Sequence, residues 1–398
     1  MLNKRLIYII LVLVLVLAWL YPIRGLSIEY EYHLKQLIPD ASEYKQISNN
    51  PTVFVVQIND IDIGYIVFEE AKGYGGPLTV GIAISNEGNI TNVAVINHVE
   101  TPSFMKKVMD NGFLDNFPGK AVNSRFVLDY DIDNISGATI TCQAIMESAK
   151  KASYNVGRTY LNKQIPEEKK NWNIGPLELI VTLIYVMAIL LSLVFKKTRY
   201  RLIINSISLI IIGFYLNRPI TIAYFGSSLL GYYPTAKENL LWYIILFGGI
   251  GLAVFWGKNI YCYWLCPFGC AQELLNKVSG LNIEIDSRIN KKLRLTRVLL
   301  LWVGLLLIFL SRNPNISTFE PFATLFSFVG NFYLWSLLFL VIMAGLIKKR
   351  FWCQYICPTG AALDLCSQFG RYSRNTLKSL LVKDTKEKQN PSILKTVK

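Results

Sequence analysis

Asn259-Ile-Tyr-Cys262-Tyr-Trp-Leu-Cys266-Pro267-Phe-Gly269-Cys270-Ala-Gln-Glu273-Leu274 comes back later in the chain as Arg350-Phe-Trp-Cys353-Gln-Tyr-Ile-Cys357-Pro358-Thr-Gly360-Ala-Ala-Leu-Asp364-Leu365. Cysteine, cysteine, proline, glycine, acid and leucine fall in the same places, and each copy follows a long apolar run. Self-similarity of this kind marks a duplicated unit, and the two copies are expected to meet. Together they offer four thiolates, Cys262, Cys266, Cys353 and Cys357. That is what an iron–sulfur cluster or a structural zinc requires.

The runs that precede the repeats belong to a larger set. Apolar stretches lie at 6–22, 176–195, 202–217, 239–256, 295–311 and 332–347. Each is near the ~20 residues that a membrane-spanning helix needs. Of the 398 residues, 52% are hydrophobic and only 17% charged, which points to a membrane protein. The net charge of +14 does not indicate nucleic acid, because the basic residues cluster at the ends of the apolar runs. Lys196, Lys197, Arg199 and Arg201 fill one loop, Lys258 to Arg294 another, and Lys348-Lys-Arg350 opens the tail. The alternate loops hold only Arg218, Lys237 and Arg312. Six transmembrane helices with both termini inside fit this bias. Residues 1–24 then form an uncleaved membrane anchor, 173–370 an all-α polytopic membrane domain, and 371–398 a basic cytoplasmic tail on anionic lipid.

Residues 25–172 have the texture of an α+β domain and are placed outside the cytoplasm. Strands are expected at Val53-Phe-Val-Val-Gln-Ile, Gly64-Tyr-Ile-Val-Phe, Leu78 to Ile84 and Ile90 to His98, with a hairpin turn at Asn86-Glu-Gly88. Helices are expected over Pro102 to Asn111 and Thr141 to Leu161. Within this domain stands Asp133-Asn-Ile-Ser136-Gly137-Ala138-Thr139-Ile-Thr141. Read without context, it is a loop before a helix, with Thr139 or Thr141 as N-cap.

The pattern Asp-x-x-Ser-Gly-Ala-Thr resembles the flavinylation motif of the small flavoprotein subunits of the Rnf and sodium-pumping NADH:quinone oxidoreductase complexes. The resemblance covers most of 25–165 and includes Gly73-Tyr74-Gly75-Gly76 and His98-Val-Glu100-Thr101-Pro102. Ser103-Phe104 departs from it, since the family has glycines there. The resemblance implies an FMN-binding domain with FMN joined covalently to Thr139 through a phosphodiester, by a separate flavin transferase. Gly137 and Ala138 would keep the backbone open to the donor. Ser136 and the amides at the helix start would hold the phosphate. Asp133 either helps the transferase hold its metal or is a turn residue. Tyr74, Glu100 and Thr101 are implied flavin-pocket residues; His98 reads as a strand residue.

The two Cys-x3-Cys-Pro repeats resemble the membrane half of the NosR/NirI and NapH families, over about 176–370. Relatives of that kind carry a further ferredoxin-like Cys-x2-Cys-x2-Cys-x3-Cys-Pro run, which this sequence does not contain. The resemblance implies an iron–sulfur cluster, [4Fe-4S] in type, on Cys262, Cys266, Cys353 and Cys357. Buried structural thiols and a zinc site are the competing readings. A fused flavin favours the redox one, because zinc cannot pass electrons. Trp264, Trp352 and Tyr355 would keep the cluster dry. Cys270 and Cys366 break the repeat and read as spare ligands or packing; Cys142 reads as core.

The expectation is a membrane-bound flavo-iron–sulfur electron carrier linking a quinol or cytosolic donor to an extracytoplasmic acceptor. Its partners would be the flavin transferase, a redox protein or quinone, and membrane lipid, with no nucleic acid. A redox-sensing regulator and a maturation factor are the alternatives. One difficulty remains. The hydrocarbon core is about 30 Å thick, and the cysteines follow the cytoplasmic ends of the spans. Either their loops fold back into the bilayer, or a quinone or partner carrier bridges the gap; the sequence does not choose.

Overall fold

The computed structural model of the chain describes residues 4–21, 30–73, 76–100, 102–166, 174–194, 200–237, 239–281, 283–317 and 319–389. They form two compact units. The first comprises residues 1–173, 221–239 and 303–319; the second comprises 174–220, 240–302 and 320–398.

The first unit is organised on a five-stranded antiparallel meander, β1 Glu43–Asn49, β2 Thr52–Ile58, β3 Ile61–Lys72, β4 Pro77–Ser85 and β5 Ile90–His98, in sequential order. Both faces of the sheet are covered. On one face Val53, Val67, Leu78, Val80 and Ile82 pack against Cys142, Ile145, Ala149 and Val156. On the other, Phe54, Val56, Ile66 and Phe68 pack against Leu34 and Leu37. Burial on both sides explains the near-continuous apolar reading of β2 and β4, where a half-exposed strand would alternate. Gly88 turns the β4–β5 hairpin at φ 89°, a left-handed geometry that favours glycine.

The helices of this unit are α1 Lys4–Leu20, α2 Tyr30–Leu37, α3 Pro102–Asp110 and α4 Thr139–Thr159. The last lies across β3 and β4. The 221–239 and 303–319 segments join the same unit. The indole N–H of Trp19 donates to the carbonyl of Leu229 at 2.9 Å, and Arg312 donates to the carbonyl of Trp19 at 2.6 Å.

The second unit is helical. Its elements are α5 Pro176–Ile189, α6 Arg201–Ser208, α8 Leu240–Trp256, α9 Pro267–Ser279, α11 Phe322–Ser327, α12 Phe332–Ile347, α13 Phe351–Tyr355 and α14 Pro358–Gln389. Helix α7, Ile222–Leu230, belongs to the first unit, and α10, Ser287–Ser311, has residues in both. Helix α6 continues through a π-helical stretch to Tyr215, and π geometry recurs at Tyr261–Leu265. Proline occupies the first turn of α5, α9 and α14, where its missing N–H costs nothing. Helix α14 packs along α8, and α9 along α12.

Among the described residues, two helices, Pro176–Leu193 and Ser287–Ser311, are long and apolar enough to cross a membrane. Ile9–Leu20, Arg201–Tyr215, Leu240–Trp256 and Phe332–Ile347 are apolar but shorter.

Candidate functional site

The two repeats build the same local structure. In each, the amide of the second cysteine reaches back five residues: Cys266 to the carbonyl of Tyr261 at 2.8 Å, Cys357 to that of Trp352 at 2.9 Å. A proline then starts a helix. The backbone amides of Phe268 and Gly269 lie at the start of that helix, next to the Cys266 thiol. In the second copy the Gly360 amide donates to Cys357 Sγ at 3.2 Å. A Cβ at Gly269 would stand 3.5 Å from the carbonyl oxygen of Cys262, and one at Gly360 3.7 Å from that of Cys353. Both are ordinary contact distances, so each turn brings its glycine against its own first cysteine without excluding a Cβ there.

Cys262, Cys266, Cys353 and Cys357 all line one cavity of about 430 Å³. Cys270 and Cys366 do not line it. Cys270 is fully buried, with its thiol 3.8 Å from the Ser206 hydroxyl. Trp264, Trp352 and Tyr355 are buried behind the wall of the cavity without lining it.

The acids of the repeats are held crosswise. Asn259 opens the first copy, and its Nδ2 donates to Asp364 of the second at 2.8 Å. Arg350 opens the second copy, and its Nε donates to Glu273 of the first at 3.1 Å. A further arginine completes each pair: Arg201 on Glu273, and Arg297 on Asp364 at 2.6 Å. Lys349 adds a third cation to Glu273 at 2.8 Å. Glu273 is 1% exposed, so this charge is viable only because three cations surround it. Thr359, on the cavity wall, donates to the buried carboxylate of Glu320 at 2.7 Å.

Two kinds of metal group compete for this donor set. A tetrahedral zinc needs four sulfurs about 3.8 Å apart, from Zn–S bonds of ~2.3 Å. Among the described residues, no three His, Cys, Asp or Glu side chains converge as a single-ion site. Four thiols spread around a shared cavity, with an amide donor on Cys357, fit a larger all-sulfur group such as a cluster.

In the first unit, the Ser136–Thr139 motif forms a turn that enters α4. The Ala138 amide donates to the Ile135 carbonyl at 3.0 Å, and Gly137 has φ 80°, which favours glycine there. Ser136 and Gly137 are exposed, Ala138 is buried and Thr139 is half-buried at the first position of the helix. Neither threonine is the N-cap. Ala138 takes that position, because Thr141 is buried and donates its hydroxyl to Glu100 at 2.6 Å. Glu100 is itself buried, beneath Gly73. Tyr74 and Thr101 lie outside the described residues. A cavity of about 230 Å³ opens beside α4, lined by Gln143 and Glu147. Both follow Thr139 at helical spacing, on the same face.

Comparison with known proteins matches this division. Residues 73–153 match the FMN-binding domain family, and residues 238–286 and 329–375 match the 4Fe-4S binding domain family, one segment for each cysteine repeat. Protein NirI of Paracoccus denitrificans is 30% identical over 183 residues, 42% of this chain and 26% of NirI. Regulatory protein NosR of Pseudomonas aeruginosa is 29% identical over 137 residues, 32% of this chain and 19% of NosR. The RnfG component of the proton-translocating ferredoxin:NAD(+) oxidoreductase complex of Clostridium ljungdahlii is 26% identical over 124 residues, 30% of this chain and 67% of that component. The chain is similar to NirI and NosR, and in its FMN-binding segment to RnfG. It spans only about a quarter of NirI and a fifth of NosR.

The chain thus carries an FMN-binding domain match and a 4Fe-4S binding domain match in one polypeptide. Two of its site features escape the sequence. Lys107 donates to the Ser136 carbonyl at 2.7 Å and sets a cation beside the motif, but it is 29 residues upstream. Arg201 and Arg297 are 72 and 67 residues from the acids they hold, and the offset between the two repeats does not carry one arginine onto the other.

Proposed function

We propose that the chain is a membrane-bound electron carrier with two redox sites, FMN covalently held on Thr139 and a [4Fe-4S] cluster held by Cys262, Cys266, Cys353 and Cys357. The observation that carries this reading is the meeting of all four repeat cysteines on one cavity, in a chain that also has an FMN-binding domain. When bound, FMN exchanges one or two electrons and the cluster one. The protein does the rest. Gly137 keeps the backbone clear for the transferase. Lys107 and the first amides of α4 face the attachment point with positive charge. The α4 face bearing Gln143 and Glu147 offers the flavin ring a seat. The amide of Gly360 donates to the Cys357 sulfur, which favours the reduced, more negative state of the site.

On this reading 1–24 is an anchor, 25–172 an extracytoplasmic FMN domain, and 173–370 a transmembrane domain, with six spans in all. A flavin transferase loads Thr139. Electrons pass between a quinol or cytosolic donor and an extracytoplasmic acceptor. The apolar helices and the distribution of Lys and Arg support this orientation. The name of one relative, "Regulatory protein NosR", favours a second reading, a redox sensor that holds an electron without passing a current.

The test is the full-length protein co-expressed with a flavin transferase and purified under anaerobic conditions. An FMN-sized mass increment, iron and sulfide near four per chain, and sustained turnover between a quinol and a soluble acceptor are expected. A colourless, iron-free chain overturns the assignment. Reduction without turnover moves it to the sensor.

A further inference from the structure

We infer that the two cysteine–proline tips reach toward the middle of the bilayer on two re-entrant segments, while the cavity that they wall opens among Arg201, Arg294 and Lys349 at the basic, cytoplasmic level. The inference rests on the proposed membrane orientation. It takes up the fold-back, one of the two possibilities that the sequence leaves open.

Three contacts fix the depth. After α8 the chain turns at Gly257, and Cys266-Pro267 ends beside Gly213: a Cβ on Gly213 would be 3.0 Å from the Pro267 ring. Gly213 stands twelve residues along its helix from Arg201, an upper bound of about 18 Å at the α-helical 1.5 Å per residue, since the stretch from Leu209 is π-helical. Helix α9 then runs back out, and Asn276 donates to the carbonyl of Leu346 at 3.2 Å, at the end of α12 next to Lys348. From Pro267 to Asn276 is nine residues, about 14 Å. In the second repeat α14 starts at Pro358 and meets the Val254 carbonyl at Gly370, at the basic end of α8. That is twelve residues, about 18 Å again. Both cysteine–proline tips thus lie about 14–18 Å below the basic level, half of a ~30 Å core.

Irregular backbone is tolerated at that depth only where its polar groups are satisfied inside the protein. In the first repeat three carbonyls are satisfied in this way. Arg350 donates to the carbonyls of Cys262 and Tyr263 at 3.0 and 3.3 Å, and Ser208 donates to that of Leu265. Tyr261, Leu265, Phe268, Trp352 and Tyr355 are all at most 2% exposed. Helices α9 and α14 both start at the cavity, so both positive dipole ends face the thiolates. Broken helices in membrane transporters present anion sites in the same way. Past the cavity, α14 turns Leu365, Phe369 and Tyr372 outward, 47%, 64% and 72% exposed. Apolar side chains so exposed are at home in lipid.

The test reads depth without needing a cluster. A ketone-bearing amino acid at 365, 369 or 372 of the full-length chain takes a nitroxide, and the protein is reconstituted in phosphatidylcholine vesicles. Collision with dissolved oxygen is compared with collision with an aqueous nickel chelate by electron paramagnetic resonance. The oxygen-to-nickel ratio is expected to fall severalfold from 365 through 369 to 372, as α14 rises out of the bilayer. Equal ratios at all three sites would mean that α14 lies flat on the surface, and the inference is then wrong. Iron content measured on the same samples reports separately on the cluster, so a failed cluster assignment is not mistaken for a failed depth.

Discussion

Asn259 Nδ2 meets Asp364 Oδ1 at 2.8 Å, and this bond joins the opening residue of one repeat to the acid of the other. Its counterpart is Arg350 on Glu273. The two halves of the site are therefore fastened by exchange, and the strengths of the two fastenings differ. Glu273 is buried among three cations, whereas Asp364 keeps 31% of its side chain exposed beside Arg297. Removing one partner of a buried charge set leaves the others uncompensated. Glu273→Ala is expected to cost about 3–5 kcal/mol. Asp364→Ala is expected to cost about 1 kcal/mol, since solvent screens its pair. Thermal unfolding of both variants in one detergent measures the difference; equal losses would contradict the asymmetry.

Thr139 and Thr141 stand two residues apart and do different work. Thr139→Ala is expected to abolish the FMN mass increment and leave stability unchanged. Thr141→Val removes a hydroxyl from the buried Glu100 carboxylate and is expected to destabilise the domain by about 1–3 kcal/mol. Its flavin should remain attached. Intact-protein mass and a denaturation curve on each variant decide the matter, and loss of flavin in Thr141→Val alone would reverse the assignment.

Lys107 sets its ammonium on the Ser136 carbonyl, beside the attachment turn. A charge-assisted bond is worth about 1.5–3 kcal/mol. Lys107→Gln is expected to slow flavin transfer by about tenfold, equivalent to ~1.4 kcal/mol, without abolishing it. A time course of FMN incorporation by the transferase gives the ratio. An unchanged rate would reduce Lys107 to a structural tie.

Cys266→Ser and Cys357→Ser should each remove the iron, while Cys270→Ser and Cys366→Ser, whose thiols stand away from the cavity, should retain it. Iron and sulfide analysis of the four variants is the measurement. Loss of iron in Cys270→Ser would require a larger ligand set.

His98, at the end of β5, has its Nδ1 buried without a hydrogen-bond partner among the described residues. Burial lowers its pKa below the ordinary value near 6.5. The unfolded chain then binds the proton more readily than the folded one. The stability present above about pH 6.5 is lost as pH falls from there toward the folded pKa. His98→Gln should flatten this loss. Protease resistance of the sheet domain in the full chain, followed from pH 7.5 to 5.5, tests it.

What could be read from the sequence follows from what each segment buries. Strands β2 to β5 are runs of Val, Ile and Phe and read plainly, and so does the helix that begins after the Ser136–Thr139 motif. Strand β1, Glu-Tyr-Lys-Gln-Ile-Ser-Asn, lies at the sheet edge, is mostly exposed and carries too little apolar pattern to be seen. Helix α2 is eight residues long and shows its role only through the sheet face it covers. In the second unit, repetition makes the cysteines legible. The fold-back does not read, because hydropathy reports whether a segment is apolar and not whether it returns.

The crossed fastening of the repeats has one more consequence. An isolated half, carrying Glu273 but not Arg350, or Asp364 but not Asn259, would be left with an acid whose natural partner belongs to the missing half. Such a half could complete its site only by meeting a second copy across a twofold axis. This chain is in that sense a dimer written as a single polypeptide, with its two halves free to diverge, as arginine and asparagine have at positions 350 and 259.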